Sequence, residues 1–211
     1  MSLVLLLVGL SILVGTLLVL VFRDRLLTCT VARSVVVCGS KHAIFQYLAD
    51  FANTAEWDPN VRDARRLTPA HVQAAVGDKF ELTTLFRGRA SITTYTLNRV
   101  DTDVGLVLDG ESDTVKLVDT IALHPDGMAD GGSRTCVDYR LKVRLKGRLA
   151  PFSFILRPAL EELATESIGG LVATCAKRFG GSVDEALGAS RLPLGGPAMR
   201  SRNTPARAAF T

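Results

Sequence analysis

The stretch from Arg134 to Gly147, RTCVDYRLKVRLKG, has the clearest strand pattern in the chain. Along it, apolar and tyrosine side chains alternate with basic and other polar ones. Because successive side chains of a strand point to opposite faces, one face is predicted to be buried and the other wet. The predicted buried face carries Val137, Tyr139, Leu141, Val143 and Leu145.

Other predicted elements lie on both sides of this strand. TCTVARSVVVCG, ending at Gly39, is a β-branched strand candidate, and Ser40 can cap a short helix after it. Strand patterns recur from KFELTTLF at Lys79 to TVKLVDTIALHP at Thr114. One strand, one or two short helices, five or six antiparallel strands and a long last helix give an α+β fold.

The long last helix is predicted to begin near Pro158, a residue suited to a first helical turn. After Pro158, apolar residues recur at spacings of three and four residues, which indicates one wide buried stripe on the helix. The pair Gly169-Gly170 interrupts the pattern in mid-helix. Glycines there either weaken or bend the helix, or permit a close approach to the sheet.

A run of 20 residues without a charge, Leu3 to Phe22, opens the chain. At about 1.5 Å per residue it spans roughly 30 Å, the thickness of a bilayer's hydrocarbon core. A cleavable signal peptide is the alternative, but it needs a basic start and a shorter run. We therefore predict a single-pass membrane helix, and Arg23 and Arg25 after it favour a cytoplasmic domain.

Composition divides the chain into three parts: the anchor with its basic flank (1–27), one domain (28–190) and a Pro, Gly and Arg-rich tail (191–211) for which disorder is expected. The domain is close to neutral, with 19 basic and 20 acidic side chains. The four cysteines lack CxxC spacing, which disfavours a zinc knuckle and makes buried free thiols the simple alternative. They are Cys29, Cys38, Cys136 and Cys175.

The order of elements and several quoted segments resemble the START-like or helix-grip (SRPBCC) superfamily, in the group of polyketide cyclase/dehydrase and lipid-transport proteins. The segments are AIFQYLADFANTAEWDPNV with RRLT, VGDKFELTTLF, VDYRLKVRLKG and RPALEEL. The resemblance implies a sheet wrapped on the long C-terminal helix with a ligand cavity between them. It does not fix activity, since some members are catalysts and others bind lipids, sterols, quinones or polyketides.

The resemblance also implies which side chains line the cavity, although for any single one of them ordinary core packing is the favoured explanation. Trp57, followed by Asp58-Pro59, is expected to be buried at a corner that closes one end of the space between helix and sheet. The cavity candidates are Phe45, Trp57, Phe80, Phe86, Tyr95, Tyr139, Phe152, Phe154, Ile168 and Leu171.

Asp119 is in phase with the apolar residues of its strand. A buried carboxyl group has a raised pKa unless it is paired, so Asp119 and Tyr139 are candidates for acid–base chemistry or for anchoring a ligand. Arg99 or Tyr139 is the expected partner. A one-residue bulge that turns Asp119 outward is the alternative.

A row of basic residues occupies the polar face of the strand from Arg134: Arg140, Lys142, Arg144, Lys146 and Arg148. Such a row is usually a solvated face beside acidic neighbours, and near a membrane it can also attract anionic headgroups. Nucleic-acid binding is disfavoured, because the domain is neutral and no exposed aromatic residues interleave the row.

The sequence contains no GxSxG, Walker or dinucleotide-binding motif, and its three histidines lack metal-ligand spacing. We therefore predict a membrane-anchored domain that binds or transfers a hydrophobic small molecule, with no metal or other cofactor. A cyclase or dehydratase using a cavity carboxylate or tyrosine is the first alternative. An anchored scaffold for an unknown protein partner is the second.

Overall fold

The computed structural model describes residues 27–69, 73–129 and 132–180, together with residues 8–10, 13 and 15. Its elements, in chain order, are β1 (Cys29–Cys38), α1 (Lys41–Ala49), a 3-10 turn (Phe51–Asn53), α2 (Thr54–Trp57), β2 (Val61–Arg66), β3 (Lys79–Phe86), β4 (Arg89–Asp101), β5 (Gly105–Glu111), β6 (Val115–Ala129), β7 (Gly132–Leu145), a 3-10 segment (Gly147–Leu156) and α3 (Arg157–Phe179).

The seven strands form one antiparallel sheet in the order β1-β7-β6-β5-β4-β3-β2. Strands β2 to β7 follow one another as a meander, while β1 joins the far edge by pairing with β7. The side chains of β7 alternate as the sequence predicts, since Val137 and Val143 are buried whereas Arg140 and Lys142 are exposed. The apolar face of the sheet can therefore pack against a helix.

Local signals explain the short helices between β1 and β2. The Ser40 hydroxyl accepts a hydrogen bond from the amide of Ala43 and so caps α1. Helix α1 buries Ile44, Phe45 and Leu48 in the main core. Helix α2 ends at Trp57, where Asp58 leaves the helical conformation and the chain turns into β2.

Helix α3 lies on the inner face of the sheet and packs chiefly along β1. Pro158 stands in its first turn, as expected. Gly169 and Gly170 do not end the helix, and a Cβ atom at Gly170 would collide with the carbonyl oxygen of Trp57. The close approach that requires glycine is thus to the α2 corner and not to the sheet.

The antiparallel sheet and the long C-terminal helix form the helix-grip fold that the sequence predicts. Among the described residues, no helix is long and apolar enough to cross a membrane. The run Leu3 to Phe22 lies largely outside the described residues, and the tail 191–211 lies entirely outside them.

Candidate ligand site

Asp119 is buried on the inner face of β6, with only 1% of its surface exposed. It stands in register between Leu108 of β5 and Leu141 of β7. The register of β6 is continuous at this point, and its shift falls later, between Pro125 and Met128. The alternative of a bulge that turns Asp119 outward is therefore wrong.

Two tyrosine hydroxyl groups surround the Asp119 carboxyl group. The Tyr139 hydroxyl donates a hydrogen bond to Oδ1 of Asp119 at 2.9 Å, and the Tyr95 hydroxyl is a second partner. Arg99, the other expected partner, pairs with Asp101 at 2.9 Å instead. The carboxyl group is thus held by neutral donors and not by a cation.

Burial raises the pKa of Asp119 to about 7, although the hydrogen bonds from Tyr139 and Tyr95 act in the opposite direction. The nearby charge of Asp58 adds to the increase. Burial likewise raises the pKa of both tyrosines, which therefore stay protonated. At neutral pH, Asp119 is consequently present in its protonated and ionised forms together and can both donate and accept a hydrogen bond.

Tyr95 reaches Asp119 from β4 because its neighbour across the sheet, Gly110, has no side chain. A Cβ atom at Gly110 would lie 2.6 Å from the Tyr95 ring. Phe51 packs against the same ring, with 4.9 Å between the ring centroids. Glycine on one side and an aromatic ring on the other fix the position of the Tyr95 hydroxyl.

Trp57 closes the side of the site that faces helix α2. Its side chain is 3% exposed and meets the Tyr139 ring edge to face, with centroids 6.4 Å apart. The expectation that Trp57 is buried at the corner is confirmed. The next residue, Asp58, accepts a hydrogen bond from the Ser167 hydroxyl at 2.8 Å, and burial raises its pKa.

Arg33 lies beside the site on the inner face of β1, in register with Tyr139. Its guanidinium group donates to the carboxylate of Glu161 at 3.0 Å and to the backbone carbonyl of the same residue at 3.2 Å. These contacts tie the edge strand to α3. Arg33 is not among the site residues predicted from the sequence, although its alternation in phase with Val31 and Val35 is a signal for this face.

The space between the sheet and the first half of α3 is incompletely covered. Several apolar side chains around the smaller core cluster of Cys29, Val31, Val143 and Leu160 are only partly buried. They come from the sheet, the 3-10 segment and the helix: Val115, Leu117, Leu141, Leu156, Leu163 and Ala164. Tyr139 is also partly buried, and we call this partly exposed apolar region beside it the apolar cleft.

A second concavity, of about 530 Å³, lies at the other end of α3, beside α1. Its lining includes Asp50, Arg66 and Arg178. Arg66 is paired with Asp78 at 3.1 Å and Arg178 with Glu56 at 3.0 Å, so both cations are already neutralised. Its polar rim contrasts with the apolar cleft.

The family model described as polyketide cyclase / dehydrase and lipid transport matches residues 28–178. This match runs from the start of β1 through nearly all of α3. The chain belongs to this family. No curated protein matches the sequence.

Solved structures show the same fold at low sequence identity. The Zhui aromatase/cyclase from Streptomyces sp. R1128 is 14% identical, with a TM-score of 0.57, and the match covers 74% of this chain and 99% of that one. A START superfamily protein from Mycobacterium smegmatis is 17% identical, with a TM-score of 0.54 and coverage of 71% and 96%. A protein from Thermus thermophilus is 14% identical, with a TM-score of 0.55 and coverage of 77% and 99%.

Within this START-like domain, the predicted cavity residues fall into four groups, of which three are in the interior or partly buried. Tyr95, Tyr139 and Trp57 surround Asp119, as described above. Four others are buried in the main core with at most 8% exposure: Phe45, Phe80, Ile168 and Leu171. Phe86 is partly buried at the end of β3.

Phe152 and Phe154 are not in the interior, which corrects their placement in the cavity. Their exposed fractions are 51% and 64%. The chain after β7 forms the 3-10 segment and not a further strand, and the Ser153 hydroxyl between them turns inward to bind the amide of Leu145 and the carbonyl of Ala150. Burying Ser153 leaves its two aromatic neighbours outside.

The predicted basic row lies on the outer face and just past the end of β7. Lys146 pairs with Glu111 at 2.6 Å, which matches one of the acidic neighbours expected from the sequence. Arg140, Lys142 and Arg148 are exposed and form no ion pair within the described part of the chain. The row is therefore only partly neutralised.

The four cysteines are free thiols, and Cys29, Cys38 and Cys175 are buried. Burial raises the pKa of Cys175 to about 12, so this thiol stays protonated. Cys136 is partly buried on the outer face beside the Ser34 hydroxyl, and burial raises its pKa as well. None of these thiols belongs to the inner-face site.

Proposed function

We propose that this chain is a membrane-anchored START-like domain that binds or transfers a hydrophobic small molecule without transforming it. The observation that carries the proposal is Asp119, a buried carboxyl group with two tyrosine hydroxyls beside a partly exposed apolar region. Burying an ionisable group is costly, and such groups concentrate at functional sites. Here the carboxyl group holds the polar end of an otherwise apolar ligand.

The lining supports a ligand with a long apolar body and one carbonyl or hydroxyl group. Ligand sites are typically apolar with a few placed polar groups, and the cleft ending at Asp119 and Tyr139 has this character. Protonated Asp119 donates to a carbonyl oxygen, whereas ionised Asp119 accepts from a hydroxyl. Lipids, quinone-like compounds and polyketide-like compounds all meet this description.

Mass spectrometry of compounds extracted from the purified full chain tests ligand binding. We expect an apolar compound with the wild type, and about tenfold less with Asp119→Leu, because one hydrogen bond to a charged group contributes roughly 1.5–3 kcal/mol. Asp109→Leu is the matched control, since Asp109 is an exposed carboxylate of β5. No enriched compound, or equal amounts in both variants, contradicts the proposal.

A cyclase or dehydratase is the second candidate, and the pKa of about 7 at Asp119 favours it. A carboxyl group that titrates near neutral pH can move a proton to or from a substrate in either direction. Asp119→Asn keeps a polar contact but cannot transfer a proton. If the domain is an enzyme, this variant retains its bound compound as unconverted precursor; if it is a carrier, the extracted compound is the same as in the wild type.

The anchor is the second part of the proposal and rests on the charge-free run Leu3 to Phe22. We propose that the domain lies on the cytoplasmic side, in keeping with Arg23 and Arg25. Leu13→Arg places a charge in the run, at a cost of about 3 kcal/mol in the centre of a membrane helix. The variant should shift from the carbonate-resistant membrane fraction to the supernatant, whereas Leu67→Arg, in the loop after β2, should not.

A further inference from the structure

The 3-10 segment Gly147–Leu156 presents three large apolar side chains to solvent. Phe152, Phe154 and Ile155 are 51%, 64% and 59% exposed. They lie within four residues of one another, whereas Leu67, Val76, Ile92 and Val104, the other exposed large apolar side chains that the structure describes between 27 and 180, are scattered over separate turns and strands. Clustered exposed apolar side chains mark an interaction surface, while single ones need no explanation.

This segment is held in place by buried contacts. The Ser153 hydroxyl donates to the carbonyl of Ala150 at 2.8 Å and accepts from the amide of Leu145 at 3.1 Å, and the side chain is fully buried. Leu156 packs against the smaller core cluster. The three exposed side chains therefore project from a fixed base.

The position of the segment places it near the proposed anchor. Cys29, the first residue of β1, pairs with Val143 near the end of β7, just before the segment begins. Residues 23–27 alone separate Phe22 from Thr28, and even fully extended they allow a distance of only about 20 Å. Because β1 begins at the end of the sheet where the exposed aromatic side chains lie, the length of this connection keeps the proposed membrane helix close to them.

Charge at this end favours a bilayer with anionic lipids. Lys142 and Arg148 are exposed and form no ion pair among the described residues, and Arg157 follows at the start of α3, where it pairs with Glu161. Lys146 pairs with Glu111 and therefore does not add to the unpaired positive charge at this end. Apolar side chains flanked by basic ones are typical of protein surfaces that lie in the membrane interface.

We infer that Phe152, Phe154 and Ile155 insert into the interface of the same bilayer that holds the anchor and dock the domain in a fixed orientation. This inference rests on the proposed anchor but not on the proposed ligand. Because Leu156 is itself part of the apolar cleft, docking of the segment brings this partly exposed apolar region to the lipid surface. A hydrophobic molecule can then enter without crossing water.

Tryptophan quenching in the full chain tests the docking. The protein is reconstituted into phosphatidylcholine and phosphatidylserine liposomes that contain brominated phosphatidylcholine. Ile155→Trp adds a reporter in the segment, and Ile92→Trp adds one on β4 at the same 59% exposure. The native Trp57 is buried and gives a common background.

We expect the brominated lipid to remove about half of the emission of Ile155→Trp, because one of its two tryptophans lies in the interface. The fraction of emission quenched in Ile92→Trp should stay near the wild-type level. Adding Phe152→Ser and Phe154→Ser to Ile155→Trp should reduce the quenching, and Lys142→Glu with Arg148→Glu should reduce it only when phosphatidylserine is present.

Flotation of the liposomes separates the possible failures. Protein that floats but shows equal quenching at positions 155 and 92 overturns the docking and leaves the anchor intact. Protein that does not float overturns the anchor and the docking together. Neither result alters the compound found by extraction, which tests ligand binding independently.

Discussion

The two halves of α3 meet the same sheet in different ways. In the C-terminal half, Leu171, Val172 and Cys175 are at most 1% exposed and belong to the main core. In the N-terminal half, Leu160 is covered, but Leu163 and Ala164 remain partly buried opposite Leu117 and Leu141. The C-terminal half of α3 is therefore closely packed against the sheet, whereas the N-terminal half borders the partly exposed apolar cleft.

Asp119 lies where these two regions meet, and this position explains its properties. The closed side removes water and raises the pKa of its carboxyl group, while the tyrosines provide hydrogen bonds. In the proposed function, a ligand reaches Asp119 from the partly exposed side. A site of this kind needs both regions, because a fully closed interface excludes ligand and a fully open one leaves the carboxyl group hydrated.

The pH dependence of stability gives the largest expected effect. Between the ordinary pKa of about 4 in the unfolded chain and about 7 in the folded one, the folded state holds a proton that the unfolded state has lost. Stability from Asp119 is therefore full below pH 4 and falls until pH 7. Relative to Asp119→Asn, the wild type should lose about 4 kcal/mol between pH 4 and 8.

Urea unfolding of the full chain in mild detergent, followed by Trp57 fluorescence, measures this difference. Asp109→Asn controls for removal of an exposed carboxylate. If the difference in free energy of unfolding between wild type and Asp119→Asn does not change with pH, water reaches Asp119 freely and the site belongs wholly to the open region.

A pair of leucines compares the two halves directly. Leu171→Ala removes a fully buried side chain and should lower the free energy of unfolding by about 3 kcal/mol, since it leaves a cavity. Leu163→Ala, in the cleft, should cost about 1 kcal/mol because its side chain is only partly covered. Equal losses in urea unfolding would mean that the cleft is packed as tightly as the core.

The neighbouring glycines provide the smallest effect and a test of the corner that closes the site. Gly170→Ala should lower the free energy of unfolding by about 2 kcal/mol, because the new methyl group meets the Trp57 carbonyl and forces α2 from α3. Gly169 has open space around it, so Gly169→Ala should instead raise stability by about 1 kcal/mol through helix propensity. In thermal unfolding, the two variants should change stability in opposite directions. A loss of stability at both positions contradicts the close approach of Gly170 to the Trp57 carbonyl.

Several features of the fold and site could be predicted from local pattern. The alternation in β7 predicts its buried face, and the phase of Asp119 with its apolar neighbours predicts a buried carboxylate. Arg33 carries the same kind of signal among the valines of β1. Phe152 and Phe154 were misplaced because hydrophobicity alone does not show whether a non-periodic segment faces inward.

Side-chain alternation and helical period by themselves determined the element order and the inner face of the sheet, since these depend on short-range periodicity and on the cost of exposing apolar surface. Only the tertiary structure decided that Tyr139 and Tyr95 both reach Asp119, that Gly170 faces the Trp57 carbonyl, and that the 3-10 segment lies beside the start of β1. Those relations join residues far apart in the chain, and they depend on strand register and on the placement of α3, which no local pattern encodes.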